Sequence, residues 1–84
     1  MPRYHFNVHD GVSQIDEDGT ELADVATARS EALVLAGEII RDAGRRADRG
    51  EEWRVEVTDH AGLALFIMDF VVSTSPAALP AGRG

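Results

Sequence analysis

A single stretch with helical spacing, flanked on both sides by stretches that alternate like β-strands, limits the folds open to this 84-residue chain. Apolar residues recur every three or four positions, which predicts an amphipathic helix from about Val25 to Ala47. Asp24 is suited to cap its N-terminus and Gly50 to end it. The predicted buried stripe comprises Val25, Ala28, Ala32, Ala36, Ile39 and Ala43, flanked by Leu35 and Ile40.

Four stretches outside this helix are predicted to form strands. YHFNVH alternates apolar and polar residues, as a half-buried strand does. The turn at Asp10 and Gly11 predicts a hairpin to a short second strand, from about Val12 to Asp16, anchored by Ile15. After the helix, EWRVEVTD alternates in the same way. A turn from Asp59 to Gly62 then leads into the final strand, LALFIMDFVV, which is apolar on both faces.

The order of these elements, ββαββ, predicts an α+β fold. We expect a small antiparallel sheet of three or four strands, in the order 2-1-3-4, with one long helix packed on one face. Residues 1–72 are predicted to form a single domain. Residues 73–84, which are rich in small residues, proline and glycine, are predicted to form a disordered tail.

One helix covers only one face of such a sheet, so the other face is predicted to be uncovered. Apolar surface on an uncovered face is typical of a contact with a partner, so we predict a homodimer or a complex with another protein. The alternative is an irregularity in the last strand that rotates some of its apolar side chains inward. The candidate interface residues are His5, Asn7, His9, Arg54, Glu56, Leu65 and Ile67.

The acidic stretch from Asp10 to Asp24 raises the possibility of a calcium loop. With Gly19 at the sixth position of an EF-hand loop, two aspartates fit the third and fifth positions, but Gln14 and Val25 occupy the first and twelfth. The twelfth position requires a bidentate glutamate. We therefore interpret the stretch as an Asp-Gly turn that leads into the helix.

No other metal site or catalytic group is predicted. His5 and His9 lie on one strand face about 13 Å apart, too far to chelate one zinc ion, and His60 lies in a turn. The chain has no cysteine, and none of its serines lies in a nucleophile-elbow sequence. We therefore expect no enzymatic activity, no cofactor and no metal.

Charge and hydropathy argue against two classes of partner. The net charge of −7 opposes binding to nucleic acid, which relies on basic residues that neutralise phosphates. No apolar run approaches the ~20 residues that cross a bilayer, and the N-terminus is unlike a signal peptide, so we expect a cytoplasmic protein that binds no membrane. An arginine cluster near the helix end is interpreted as solvated charge rather than an anion site; it comprises Arg41, Arg45, Arg46 and Arg49.

Several motifs resemble an uncharacterised family of short bacterial proteins. They are MPRYHFNVHDG, DEDGTELADVATARSEAL, WRVEVTDHAG and LFIMDF, and the likeness extends from about Met1 to Phe70. Here His5 stands where the family has an aromatic residue, Asn7 where it has a histidine, and Asp69 where it has a proline. The resemblance implies a domain of unknown function in a bacterial setting, and it supplies no catalytic residue.

A shorter stretch, GTELADVATARSEAL, is similar in rhythm to the helix entry of HicB-type antitoxins. That similarity implies an acidic regulator that binds and neutralises a basic partner protein. The main hypothesis is a non-enzymatic interaction module that self-associates or docks a partner through the open sheet face or the last strand. The antitoxin-like regulator is the alternative.

Overall fold

One long helix and five strands make up the described part of the chain, residues 1–45 and 52–78 of the computed structural model. A 3-10 turn at Pro76–Ala78 follows the last strand. The elements in chain order are β1 (Arg3–His9), β2 (Ser13–Gln14), β3 (Thr20–Glu21), α1 (Val25–Arg45), β4 (Glu52–Thr58) and β5 (Ala64–Val71).

The strands form one antiparallel sheet in the order β2-β1-β4-β5, and β3 also pairs with β1. The small antiparallel sheet with one helix confirms the predicted α+β class. The topology differs from the expected one by β3, which pairs with Arg3 and Tyr4 while β2 pairs with Val8 and His9. The segment that contains β2 and β3 therefore pairs with both ends of β1.

The helix begins where the sequence predicted. The carboxylate of Asp24 accepts hydrogen bonds from the backbone N–H and the hydroxyl of Thr27, at 2.8 and 2.7 Å. These bonds lower the pKa of Asp24, the hydroxyl bond most and the backbone bond next. The described helix ends at Arg45, and the predicted positions Ala47 and Gly50 lie outside the described residues.

The core lies between one side of α1 and one face of the sheet. It is centred on Tyr4 and Val57 with two helix alanines, and Phe6, Leu22, Leu65, Phe66 and Met68 pack against it. Because the helix contributes small side chains here, its backbone approaches the sheet closely. The buried helix residues are Ala28, Ala32, Ala36 and Ala43.

Three predicted packing positions are wrong. Val25 and Ile40 are exposed rather than packed in or beside the buried stripe, because the buried side of the helix is the narrower one that the alanines define. Ile15 is exposed rather than the anchor of β2. Leu22, after β3, packs against the core instead.

The predicted tail is only partly described. Within it, the backbone N–H of Ala78 donates to the carbonyl oxygen of Ser75 at 3.0 Å, which closes the 3-10 turn. Residues 73–78 are exposed, and residues 79–84 lie outside the described part of the chain.

Candidate interaction surface

Cross-strand pairing brings most of the predicted interface residues together on the sheet face opposite α1, called here the open face. His5 pairs with Thr58, Asn7 with Glu56, and His9 with Arg54 across β1 and β4. Glu56 in turn pairs with Ile67, and Arg54 with Asp69, across β4 and β5. Since directly paired residues share a sheet face, six of the seven predicted residues lie together. The six are His5, Asn7, His9, Arg54, Glu56 and Ile67.

Leu65 is the exception, and its predicted position is corrected. The pairing of β4 with β5 is irregular between Val57 and Thr58, so that Val57 pairs with Phe66 and Thr58 with Ala64. Leu65 is therefore an extra residue in β5, and it packs against the core instead of standing on the open face. The irregularity that the sequence left open as an alternative is present at this point.

Asn7 is buried at 7% exposure, and its side-chain amide is engaged at both ends. Its Oδ1 accepts from the backbone N–H of Asp16 at 2.9 Å, and its Nδ2 donates to Oε1 of Glu56 at 3.3 Å. A buried amide with both ends bonded fixes the neighbouring elements to each other. Asn7 therefore serves the fold and is not free to contact a partner.

Asp16 joins the segment between β2 and β3 to the middle of β1. Its carboxylate accepts from the backbone N–H groups of Phe6 at 3.1 Å and Gly19 at 3.0 Å. His5 donates from Nδ1 to the carbonyl oxygen of Asp16 at 2.7 Å. Desolvation by burial opposes ionisation of this carboxylate, but the hydrogen bonds and nearby His5 outweigh it, so the pKa of Asp16 lies below its ordinary value.

Within the acidic stretch, the carboxylate of Asp16 is thus used in a turn. Gly19 has φ of 73°, and a Cβ there would lie 2.9 Å from the Tyr4 carbonyl oxygen and 2.8 Å from the Arg3 Cγ. The turn packs tightly against β1, and only glycine fits both the conformation and the space. Among the described residues, no three His, Asp or Glu side chains are placed to hold a metal ion together.

A shallow cleft of about 410 Å³ lies on the open face between this turn and the β4–β5 turn. We call it the acidic cleft, because four carboxylates line it beside two histidines. The carboxylates belong to Asp16, Glu17, Glu56 and Asp59, and the histidines are His5 and His60. Such a lining favours a cationic group over an anion.

Asp59 in this cleft also holds the β4–β5 turn closed. Its Oδ1 accepts from the backbone N–H groups of Leu63 at 2.9 Å and Ala61 at 2.8 Å. The bond from Leu63 is the largest influence, and together with the bond from Ala61 it lowers the pKa of Asp59. Asp59 is therefore ionised and occupied at neutral pH.

Arg54 and Asp69 form an ion pair on the open face. Arg54 donates from Nε to Oδ1 of Asp69 at 2.6 Å and from a terminal nitrogen to Oδ2 at 3.2 Å. The hydrogen bonds and then the charge of Asp69 raise the pKa of Arg54 above its ordinary value. Both side chains are exposed, so the pair contributes little stability, but it gives the one charged side chain of β5 a partner of opposite charge.

The outer edge of β5 is the longest unpaired strand edge among the described residues. β5 has eight residues and pairs with β4 on one side, and no other strand among residues 1–45 and 52–78 pairs with its second side. Ile67 is 51% exposed on the open face. Three further apolar side chains in and beside β5 are exposed, Leu63, Val71 and Val72. Sequence reasoning named Ile67 but missed Val71 and Val72, although the apolar run through Val72 was the signal.

No described helix has the length and apolar character needed to cross a membrane. Comparison with curated proteins finds no match, and comparison with solved structures finds none either. A family model described as Domain of unknown function matches residues 3–71, a range that includes all the described strands and the described helix. The chain therefore belongs to that family of unknown function, DUF6894.

Proposed function

We propose that this protein is a non-enzymatic interaction module whose docking surface is the outer edge of β5 with the adjoining open face. The partner that we propose is a second copy of the chain. The observation that carries the proposal is the unpaired edge of β5, eight residues long, within the described chain. An exposed edge presents unpaired N–H and C=O groups that readily pair with another strand.

The side chains of β5 support the same proposal. Natural proteins often protect an edge strand with charges, proline or a β-bulge. The bulge in β5 lies at Leu65, near the start of the strand, and residues 66–71 pair with β4 in regular register. The single charged residue of β5, Asp69, is engaged by Arg54. Ile67 and Val71 stand exposed beside it, and their burial against a second strand would be favourable.

The test is the mass of the protein in solution at tens of micromolar. We expect the wild type to sediment as a dimer and Ile67→Lys to sediment as a monomer with an unchanged circular dichroism spectrum. Ile67 is half exposed, so the lysine costs little in the monomer but places a charge in the interface. Val12→Lys is the matched control, since Val12 is 69% exposed in the β1–β2 turn. A wild type that stays monomeric would sink self-association through β5.

A second candidate function is that of an antitoxin-like regulator of a basic partner protein. The observation that favours it is the acidic cleft, where Glu17 and Glu56 add to the two aspartates. An arginine-rich peptide is a suitable probe of this cleft, because its positive charges are opposite in sign to the carboxylates of the lining. Salt should weaken its binding, since dissolved ions screen exposed charges. We expect Glu17→Gln and Glu56→Gln to weaken binding severalfold and Glu31→Gln, on the exposed side of α1, to leave it unchanged. Equal binding by all three variants would contradict a role for the cleft.

A further inference from the structure

The helix carries an exposed, uncharged row of residues on a different side from its buried alanines. The positions are alternately four and three residues apart, which keeps them on one side of a helix. Leu33 is 50% exposed and Ile40 is 45% exposed, and they are the two large members of the row. We call this row the α1 seam; it consists of Ala26, Ser30, Leu33, Gly37, Ile40 and Gly44.

No packing contact within the described residues requires glycine at the two glycine positions of the α1 seam. A Cβ added at Gly37 or Gly44 would meet nothing within 4 Å. Glycine inside a helix weakens it relative to alanine. Small residues at these positions are explained if a large side chain from another molecule fills the space above them.

The α1 seam lies on the same side of the molecule as the edge of β5. Ile40 and Gly44 line an apolar cavity of about 480 Å³ together with Phe70, Val71 and Val72. On the opposite side of the helix, Leu35 and Ile39 line a different cavity beside β1 and β2. The exposed row of the helix and the unpaired strand edge therefore adjoin each other.

The order of side-chain sizes makes the α1 seam complementary to itself in the antiparallel direction. With the symmetry centre at the level of residue 35, Leu33 faces Gly37 of a second copy, Ile40 faces Ser30, and Ala26 faces Gly44. Each large side chain thus meets a small one. In a parallel pair in register, Leu33 would meet Leu33 and each glycine would meet a glycine.

The symmetry centre of the α1 seam coincides with the middle of β5. The C-terminal ends of α1 and β5 both line the apolar cavity, through Gly44 and Val71, so the two elements reach about the same level there. Nine helical residues back to position 35 span about 13 Å at about 1.5 Å each. The same distance in a strand is about four residues at about 3.3 Å, which leads from Val71 to Ile67, in the middle of Ala64–Val71.

We propose that a second copy of the chain pairs with β5 and packs against the α1 seam about one shared two-fold axis; this rests on the proposed function. Antiparallel pairing of two β5 edges requires a two-fold axis perpendicular to the sheet. The same axis sets the two helices antiparallel on one face of the joined sheet. The paired edge contributes backbone hydrogen bonds, and the α1 seam adds apolar area toward the roughly 1,000 Å² expected of a specific interface.

Cross-linking tests this arrangement cleanly, because the chain has no cysteine. Ser30→Cys and Ile40→Cys proteins are mixed and treated with a short bis-maleimide. We expect the product that joins the two variants to exceed each self-joined product severalfold, since positions 30 and 40 face each other across the axis. Val12→Cys is the control and is expected to remain unlinked. Absence of linkage at positions 30 and 40, or a predominance of self-joined products, would overturn the proposal.

A second set of variants separates this proposal from the proposed function. Leu33→Glu is expected to shift the sedimenting species to the monomer with an unchanged fold, and Val12→Glu is expected to have no effect. If Ile67→Lys dissociates the wild-type dimer while Leu33→Glu does not, docking through β5 stands and the role of the α1 seam is refuted. If the 30–40 cross-link persists undiminished in Ile67→Lys, the shared axis is refuted.

Discussion

The side chain of Asp16 supplies the hydrogen-bond acceptor that a neighbouring strand would otherwise provide to the middle of β1. β2 and β3 pair with the two ends of β1 through their backbones. Between them, the backbone N–H of Phe6 donates to the Asp16 carboxylate instead of to a carbonyl group. A single side chain therefore satisfies a strand donor where the neighbouring segment leaves the sheet.

Gly19, at the end of that segment, is the one described glycine at which an added Cβ would be crowded. Gly19→Ala should lower the free energy of unfolding by about 2–4 kcal/mol, since it adds overpacking against the Tyr4 carbonyl to an unfavourable positive φ. Urea denaturation measures the change. Gly11→Ala is the matched control, because Gly11 also has positive φ but a Cβ there meets nothing, so about 1 kcal/mol is expected. Equal losses for both variants would contradict crowding at Gly19.

The depressed pKa of Asp16 makes stability sensitive to acid. A carboxyl group with a pKa lowered by folding stabilises the protein fully above its ordinary pKa, and this contribution is lost as pH falls through the lower folded value. Stability should therefore fall below about pH 4. Asp16→Asn should be less stable than the wild type at pH 7 and lose less on acidification. Urea midpoints at pH 7 and pH 3 test this, and an unchanged pH dependence in the variant would contradict it.

The sequence predicts part of this arrangement and not the remainder. An Asp-Gly pair indicates a turn, and a glycine that tolerates positive φ was expected at Gly19. The crowding at Gly19 and the bond from Phe6 to Asp16 depend on how the segment lies against β1. That register is a long-range property, which local propensity does not determine.

The α1 helix has a capped N-terminus at Asp24, and it contains two glycines, Gly37 and Gly44, that weaken it relative to alanine. Asp24→Ala should lower the midpoint of thermal unfolding, because the bonds from Thr27 to the cap are lost. Thermal unfolding followed by circular dichroism measures the loss. Asp24→Asn, which keeps an acceptor, should lose much less, and a loss equal to that of Asp24→Ala would contradict the capping role.

Gly37 offers the opposite change within the same helix. Gly37→Ala should raise the free energy of unfolding of dilute protein by about 0.5–1 kcal/mol, since alanine favours the helix and its Cβ has open space. Thermal unfolding measures this gain in stability, at protein concentrations too low for the chain to associate. A loss of stability would show that position 37 is packed within the monomer.

The β5 strand shows where a two-residue period fails. Strict alternation in LALFIMDF places Leu65 on the same face as Ile67. The irregular pairing after Val57 turns Leu65 to the core and leaves Ile67 outside. Nothing in the apolar run itself marks the extra residue, because every position in it tolerates burial.

At the scale of the whole molecule, one helix and one sheet leave two unequal faces. The face under α1 holds the core, and the open face carries a buried Asn7, an ion pair and an acidic cleft. The sheet face of five of the seven candidate residues was predictable because alternation in β1 and β4 assigns faces directly; the five are His5, Asn7, His9, Arg54 and Glu56. The unpaired edge was predictable only from the strand order, since it depends on β5 being last in the sheet.

The central claim is that the protein associates through the outer edge of β5. Amide hydrogen exchange measured as a function of protein concentration tests this claim most directly. Association through this edge should slow exchange of the β5 amides severalfold as concentration rises, because the outward N–H groups become hydrogen-bonded. Amides of the turn at Asp10 and Gly11 should exchange at a constant rate. Unchanged exchange in β5 under conditions where the sedimenting mass doubles would contradict the account.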